Sequence, residues 1–426
     1  MELLNIPYEK YTLKNGLEII LHKTNSLPLI AANIWYKVGS ANEREGKTGL
    51  AHLFEHMMFQ GSENVPKEMH FRYIQEAGGS LNGSTNTDRT NYFEKVPSNT
   101  LELVLWLESD RMGYLLPALT QEKLNNQIDV VRNERLERYE NQPYGLAWET
   151  LVSNIYPKGH PYSWPTIGFF KDISYKLDEV EEFFKTFYSP SNASLVIAGN
   201  FDTSFTKELI EKYFGEIVSK NINSNINTEE VKLQKEIFIE RKENVQLERI
   251  YIAWHTEPAF GKYDPALEVL SDILTGSKNS RLYKNLVFDK ELAQDVTAYQ
   301  HSAKYGGIFI IIATAKPGIE LNKIKEEIFS EIKNIEFNGI TDKELTKSKN
   351  GIKSAFINSL QNIDSLADHL NYYNFYLNEP NSFTFDLKRY EETNSSLIKE
   401  AVKLYLSKPF VELRIVPEKI DDKQKK

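Results

Sequence analysis

The stretch Thr48-Gly49-Leu50-Ala51-His52-Leu53-Phe54-Glu55-His56-Met57-Met58-Phe59-Gln60 follows a strongly apolar run, Leu29 to Val38. The run reads as a buried strand. The stretch after it reads as a helix over Thr48 to Gln60, because its apolar residues recur at spacings of three and four. The same strand-then-helix order returns later, with Ile250 to Trp254 followed by Pro265 to Leu274.

Outward from these two anchors the halves keep one rhythm. In the first, Tyr11-Thr12-Leu13 leads to Asn15-Gly16, a hairpin-turn signal, and then to a strand, Leu17 to Leu21. Strands around Gly79 to Thr85 and Thr90 to Val96, helices over Leu101 to Met112 and Lys123 to Tyr139, and a closing strand, Ser194 to Ala198, complete it. The second half offers a loop at Gly276 to Ser280, a helix over Arg281 to Val287 and a strand at Ile308 to Thr314. Helices over Leu321 to Ile335 and Asp342 to Leu360 follow, then a closing strand, Val411 to Val416. Strands and helices in segregated runs favour an α+β fold. The expectation is two homologous domains, each a mostly antiparallel sheet packed against helices. Their bounds read as 1–218 and 235–417, with a polar, Asn-rich linker at 219–234 and a charged tail at 418–426.

Composition narrows the function. The chain has 426 residues, and 51 Lys+Arg against 60 Asp+Glu give 51 − 60 = −9. An acidic chain is not a general nucleic-acid binder, which needs a basic surface to displace counterions. There is no cysteine, so disulfides, thiolate metal sites and a thiol nucleophile are excluded, and any transition-metal site must use His, Asp or Glu. No run approaches the roughly 18–20 apolar residues of a membrane span, and Met1 to Lys10 carries no apolar signal-peptide core. The expected location is cytoplasmic, with periplasmic as the alternative if a signal segment has been removed.

The chemistry concentrates in His52-x-x-Glu55-His56. Two histidines four apart on a helix project from one face about one turn apart, which suits chelation of a single ion. Glu55 shares that face and can reach a water at the ion. A third protein ligand is required, and the helix Lys123 to Tyr139 offers Asp129, Glu134 and Glu137 almost equally. His22, His70, His160, His255, His301 and His369 stand alone in sequence and read as packing or surface residues.

Four segments carry a family resemblance: Gly49 to Ser62; Gly78-Gly79-Ser80-Leu81-Asn82-Gly83-Ser84-Thr85; Asp129-Val130-Val131-Arg132-Asn133-Glu134; and Leu195 to Phe201. The sequence resembles the pitrilysin/insulinase family of zinc peptidases, and especially the zinc-binding subunits of its two-chain members related to the mitochondrial processing peptidase beta subunit. The resemblance implies one zinc ion held by His52, His56 and Glu134 in the first domain, with Glu55 as general base. It implies that Asn82, Gly83 and Ser84 position an extended peptide substrate, and that Gln127 supports a zinc-bound histidine where many relatives have a glutamate. It also exposes a departure. Where active relatives carry an arginine and a tyrosine in the second half, this chain has Val287 and Gln294. The implied function is a zinc-dependent endopeptidase subunit acting on extended or unfolded peptides. A homologous non-zinc partner would supply the missing arginine and tyrosine in a heterodimer. The alternative is a non-catalytic structural or assembly subunit of the same family.

Overall fold

Asn15-Gly16 makes the expected turn. Gly16 adopts φ +90°, a conformation glycine enters freely, and β1 (Glu9–Thr12) pairs antiparallel with β2 (Glu18–Lys23). The computed structural model describes residues 4–220, 226, 228 and 231–418. Much of the expected linker, and the tail from 419 onward, lie outside the described residues.

The first sheet adds β3 (Leu29–Tyr36), β4 (Ser80–Thr85), β5 (Thr90–Pro97) and β6 (Ala193–Gly199) in the order β1-β2-β6-β3-β5-β4. The second comprises β7 (Ile237–Glu243), β8 (Arg249–Thr256), β9 (Ala293–Ala303), β10 (Gly306–Ala315) and β11 (Val411–Pro417) in the order β7-β11-β8-β10-β9. Apart from β1 the connectivity is identical. The first strand runs parallel to the last, and all other neighbours are antiparallel. The fold is thus two homologous α+β domains.

Most expected elements are present, with some boundaries shifted. The helix with the two histidines, α1, spans Leu50–Met57 rather than Thr48 to Gln60. Those after it are α2 (Met69–Glu76), α3 (Leu101–Tyr114) and α4 (Gln121–Arg135). The expected helix Lys123 to Tyr139 stops being α-helical at Arg135 and widens into a π turn at Leu136–Glu140. Arg281 to Val287 is α-helical only over Arg281–Tyr283 and then widens likewise. The edge strands β7 and β9 have no counterpart in the sequence reading. An edge strand buries one side only and carries half the apolar signal, as the alternating burial of β7 shows.

The sequence bounds 1–218 and 235–417 do not match the compact units. One unit gathers Met1–Arg135, Trp164–Asn227 and Phe356–Phe385, and the other Leu136–Ser163, Thr228–Ala355 and Asp386–Lys426. The physical reason for the first unit's late segment lies in β3. Every residue of β3 after Leu29 is buried, so both faces of the sheet need cover. On one face Tyr36 meets Tyr92 and Tyr188. On the other, Trp35 packs against Tyr372 and Phe375 of the helix Ile363–Leu377. That helix also supplies Asp368, whose Oδ1 accepts from Asn33 Nδ2 at 3.1 Å, Trp35 Nε1 at 3.0 Å and Asn91 Nδ2 at 3.2 Å. Asn371 Nδ2 donates to the Asn33 carbonyl at 2.8 Å.

A fragment spanning 1–218 therefore uncovers Trp35 and leaves the polar groups of Asn33 and Asn91 without their acceptor. That fragment is expected to bind the dye ANS and lack near-UV circular dichroism. Joining 356–385 to it through a flexible linker should restore a cooperative urea transition. Cooperative unfolding of 1–218 alone would contradict this assembly.

Candidate metal and catalytic site

The site begins with the fixing of α1. Thr48 and Gly49 enter the helix, with Gly49 at φ +93°. The buried carboxylate of Glu43 accepts from the Gly49 amide at 2.7 Å and the Ala51 amide at 2.8 Å, two donors that the first helical turn leaves open. Thr48 is held on three sides. Its hydroxyl donates to Asp172 at 2.9 Å and accepts from the Phe169 amide at 2.8 Å, and its carbonyl accepts from the Tyr175 hydroxyl. Gly168 (φ +82°) sits so close that a Cβ there would lie 2.5 Å from the Thr48 carbonyl oxygen. Arg135 donates to the Gly168 carbonyl. The last residue of α4 is thereby fastened to the loop that fixes the start of α1.

The amphipathic pattern of α1 then sorts its side chains. Leu50, Ala51, Leu53, Phe54 and Met57 are buried. Phe54 stacks among Phe183, Phe184 and Tyr188. His52, Glu55 and His56 lie on the partly exposed face. The two imidazoles sit 4.8 Å apart between ring centres. Glu134, one residue before the Arg135 fastening, reaches them from α4. Its Oε2 lies 3.1 Å from His56 Nε2 and 3.7 Å from His52 Nε2. Donor atoms of one tetrahedral ion at zinc distances stand about 3.3 Å apart, so these three residues fit a single ion. Of the alternatives left open by spacing, Asp129 faces solvent and Glu137 is exposed in the widened turn beyond α4. The tertiary structure brings Glu134 alone to the histidines.

Glu55 is placed beside this group by β4. Burial raises its carboxyl above the ordinary carboxylate range; a hydrogen bond with Thr85 and the charges of His56 and Arg89 oppose the rise, while Glu134 adds to it. A Cβ on Gly83 would lie 3.3 Å from Glu55 Cγ and 3.1 Å from Tyr92 Cδ1, so the missing side chain permits the close approach of strand and helix. Among the described residues β4 pairs with β5 alone, and its other edge is open. Asn82 is exposed, and its side chain accepts from the Gly83 amide. The Ser84 side chain is held within its own sheet by Asn91 and Arg89. Gln127 is buried on the Glu134 face of α4, two turns earlier.

Glu43, Thr85, Arg89 and Arg135 did not emerge from the sequence reading. Only Glu43 carried a local signal, an acidic residue shortly before a helix start. The remaining histidines do pack. His22 Nδ1 meets the Pro7 carbonyl and His369 Nδ1 the Ser365 carbonyl, both at 2.7 Å. His301 lies against Trp148, and His160 and His255 against Tyr156. Val287 is half-buried against the second core, and Gln294 is exposed on β9. Arg281 is tied to Glu331 and Glu344.

Among the described residues the second unit has no copy of the site. The caps and the helix starts give one offset, 257 − 43 = 264 − 50 = 214, which places Ala266, Val269 and Leu270 opposite His52, Glu55 and His56. All three are core residues. The capping device is nevertheless repeated. Glu257 accepts from the Tyr263 amide six residues on, as Glu43 does from Gly49.

The family described as Insulinase (Peptidase family M16) matches residues 19–167, and the one described as Peptidase M16 inactive domain matches 174–352. The zinc protease PqqE of Helicobacter pylori is 31% identical over 368 residues, covering 84% of this chain and 82% of its own length. The chain belongs to the insulinase (M16) family of peptidases. A crystal structure of a Helicobacter pylori protease superposes with a TM-score of 0.89 at 28% identity, covering 96% of this chain and 100% of that one. A probable mitochondrial-processing peptidase subunit beta of Arabidopsis thaliana is 21% identical over 84% of this family member and 68% of its own length.

His70, Glu94 and Glu108 also converge, fully buried. Arg111 fills that position: Nε donates to Glu108 at 2.8 Å, and Nη2 donates to Glu94 at 3.2 Å and to Glu108. Burial, and then the charge of Arg111, lower the His70 pKa to about 3. The guanidinium is the cation these carboxylates require. Replacing His70 with Gln is therefore expected to leave metal content per chain unchanged by elemental analysis. A loss of bound metal from the folded variant would move the ligand set to this cluster.

Proposed function

We propose that this chain is the zinc-bearing subunit of an endopeptidase that cleaves extended or unfolded peptides. The observation that carries the reading is the convergence of His52, His56 and Glu134, with Glu55 beside them on α1. Two imidazoles and a carboxylate form a three-ligand set that leaves a fourth position for water or substrate. Zinc bound there would lower the pKa of a water toward 7 and polarise the scissile carbonyl.

The chain's own groups do the rest. The open edge of β4 offers main-chain hydrogen bonds to an extended peptide without demanding a side-chain sequence. Glu55 takes the proton of the attacking water and delivers it to the leaving amine. Its burial supports this role, because a raised carboxyl pKa lies nearer the working pH than an ordinary one. His52→Ala and His56→Ala are expected to lose most bound zinc. Glu55→Gln should keep it and lose roughly 10²-fold or more of peptidase activity. Full zinc occupancy in both alanine variants, or near-normal turnover by Glu55→Gln, would defeat the assignment.

Val287 and Gln294 favour a second reading, a non-catalytic subunit, because neither can supply what an arginine and a tyrosine would at a developing oxyanion. A homologous non-zinc chain that brings both groups reconciles the two readings as a heterodimer. The isolated chain, zinc-loaded, should then be weakly active, and the homologue should raise the rate by roughly 10²-fold or more. Mutating the homologue's arginine should remove the gain. Full activity of the isolated chain would exclude this arrangement.

A further inference from the structure

Arg89 stands at the turn between β4 and β5 with its guanidinium directed at the edge strand. Nη1 donates to the Ser84 carbonyl at 2.9 Å, the Ser84 hydroxyl at 2.6 Å and Asn91 Oδ1 at 3.1 Å. The guanidinium carbon lies 4.9 Å from the centre of the Trp35 ring. Trp35 and Asn91 both donate to Asp368. Burial disfavours the charge on Arg89, and the attraction that opposes this most is Asp368, with Tyr376, Glu55 and Asp88 following. A buried guanidinium is a costly way to hold a surface turn, since its desolvation must be offset by its partners.

β4 needs an external fix. It is an edge strand with the sequence Ser-Leu-Asn-Gly-Ser-Thr, and its register rests on little side-chain packing. Polar, glycine-containing strands specify register weakly. The two residues after Gly83 decide where the open edge lies relative to Glu55: Ser84 through Arg89, and Thr85 through its hydrogen bond with Glu55.

We infer that Arg89 is the positioning residue of the peptide-docking edge, fixing β4 through Ser84, and that Asp368 anchors it from a helix 279 residues further along the chain. The inference rests on the reading of β4 as the docking edge. The hydrogen bonds of Arg89 go to β4 and β5 and not to the metal donors, and because its charge also acts on Glu55 its positioning role is read from peptide affinity with Glu55 replaced.

The test uses the full-length Glu55→Gln chain loaded with zinc, so that peptide is bound without turnover. The probe is a fluorescein-labelled, unstructured 20-residue peptide followed by anisotropy. Adding Arg89→Gln is expected to raise Kd about tenfold, the size of one lost hydrogen bond to a charged group. Arg89→Lys, which keeps the charge but loses the planar guanidinium over Trp35, should give a smaller rise, and Asp368→Asn should act in the same direction. Zinc content should be unchanged throughout. Hydrogen exchange in the folded Lys variant should accelerate over residues 80–85 and not elsewhere in the sheet. Parental Kd values in the Arg89 variants, or exchange spread evenly over β3 and β5, would overturn the inference. A zinc-loaded parent that binds no peptide would defeat the docking-edge reading itself, and this inference with it.

Discussion

A buried carboxylate at the start of one helix governs this molecule. Glu43 accepts two amides from the first turn of α1, and the surrounding loop clamps Thr48 from three sides. Helix ends carry unsatisfied donors that must find acceptors when buried, and meeting that demand here fixes the helix rather than merely ending it. Leu53, Phe54 and Met57 then enter the core, and His52, Glu55 and His56 necessarily face outward together. The Arg135–Gly168 contact extends the same clamp to α4 and sets Glu134 against the histidines.

The second unit shows that the device is independent of the chemistry. Glu257 caps the helix at Asp264–Thr275 in the same manner, yet Ala266, Val269 and Leu270 stand where the metal donors would be. Two copies of one scaffold thus carry one site. The copy without donors buries those positions in its core, so that a face that is polar in one unit is packing area in the other.

The site in the first unit depends on sheet contacts as much as on α1. Gly83 lets β4 approach Glu55, while Arg89 and Asn91 hold the Ser84 side chain inside the sheet. The network ends at Asp368, on a helix that covers the sheet face opposite Tyr36 and Tyr92. A segment from the distal part of the chain is therefore structural to the site, although none of its residues belongs to the donor set.

The sequence by itself determined what is written in local periodicity and short spacing. The hairpin at Asn15-Gly16, the apolar strand before α1, the shared face of His52, Glu55 and His56, and the repeat of strand and helix all depend on residues a few positions apart. Asp129, Glu134 and Glu137 could not be separated by spacing, because the choice depends on where α4 ends and what holds its last turn. The membership of Phe356–Phe385 in the first unit was equally hidden. Its helix interleaves Asp364, Asp368, Asn371 and Asn374 with apolar residues, because it meets polar groups of β3 and β5 as well as the ring of Trp35. Only tertiary structure decided these points, since burial and partner atoms, rather than residue type, determine whether a carboxylate is a surface charge, a cap or a member of the donor set.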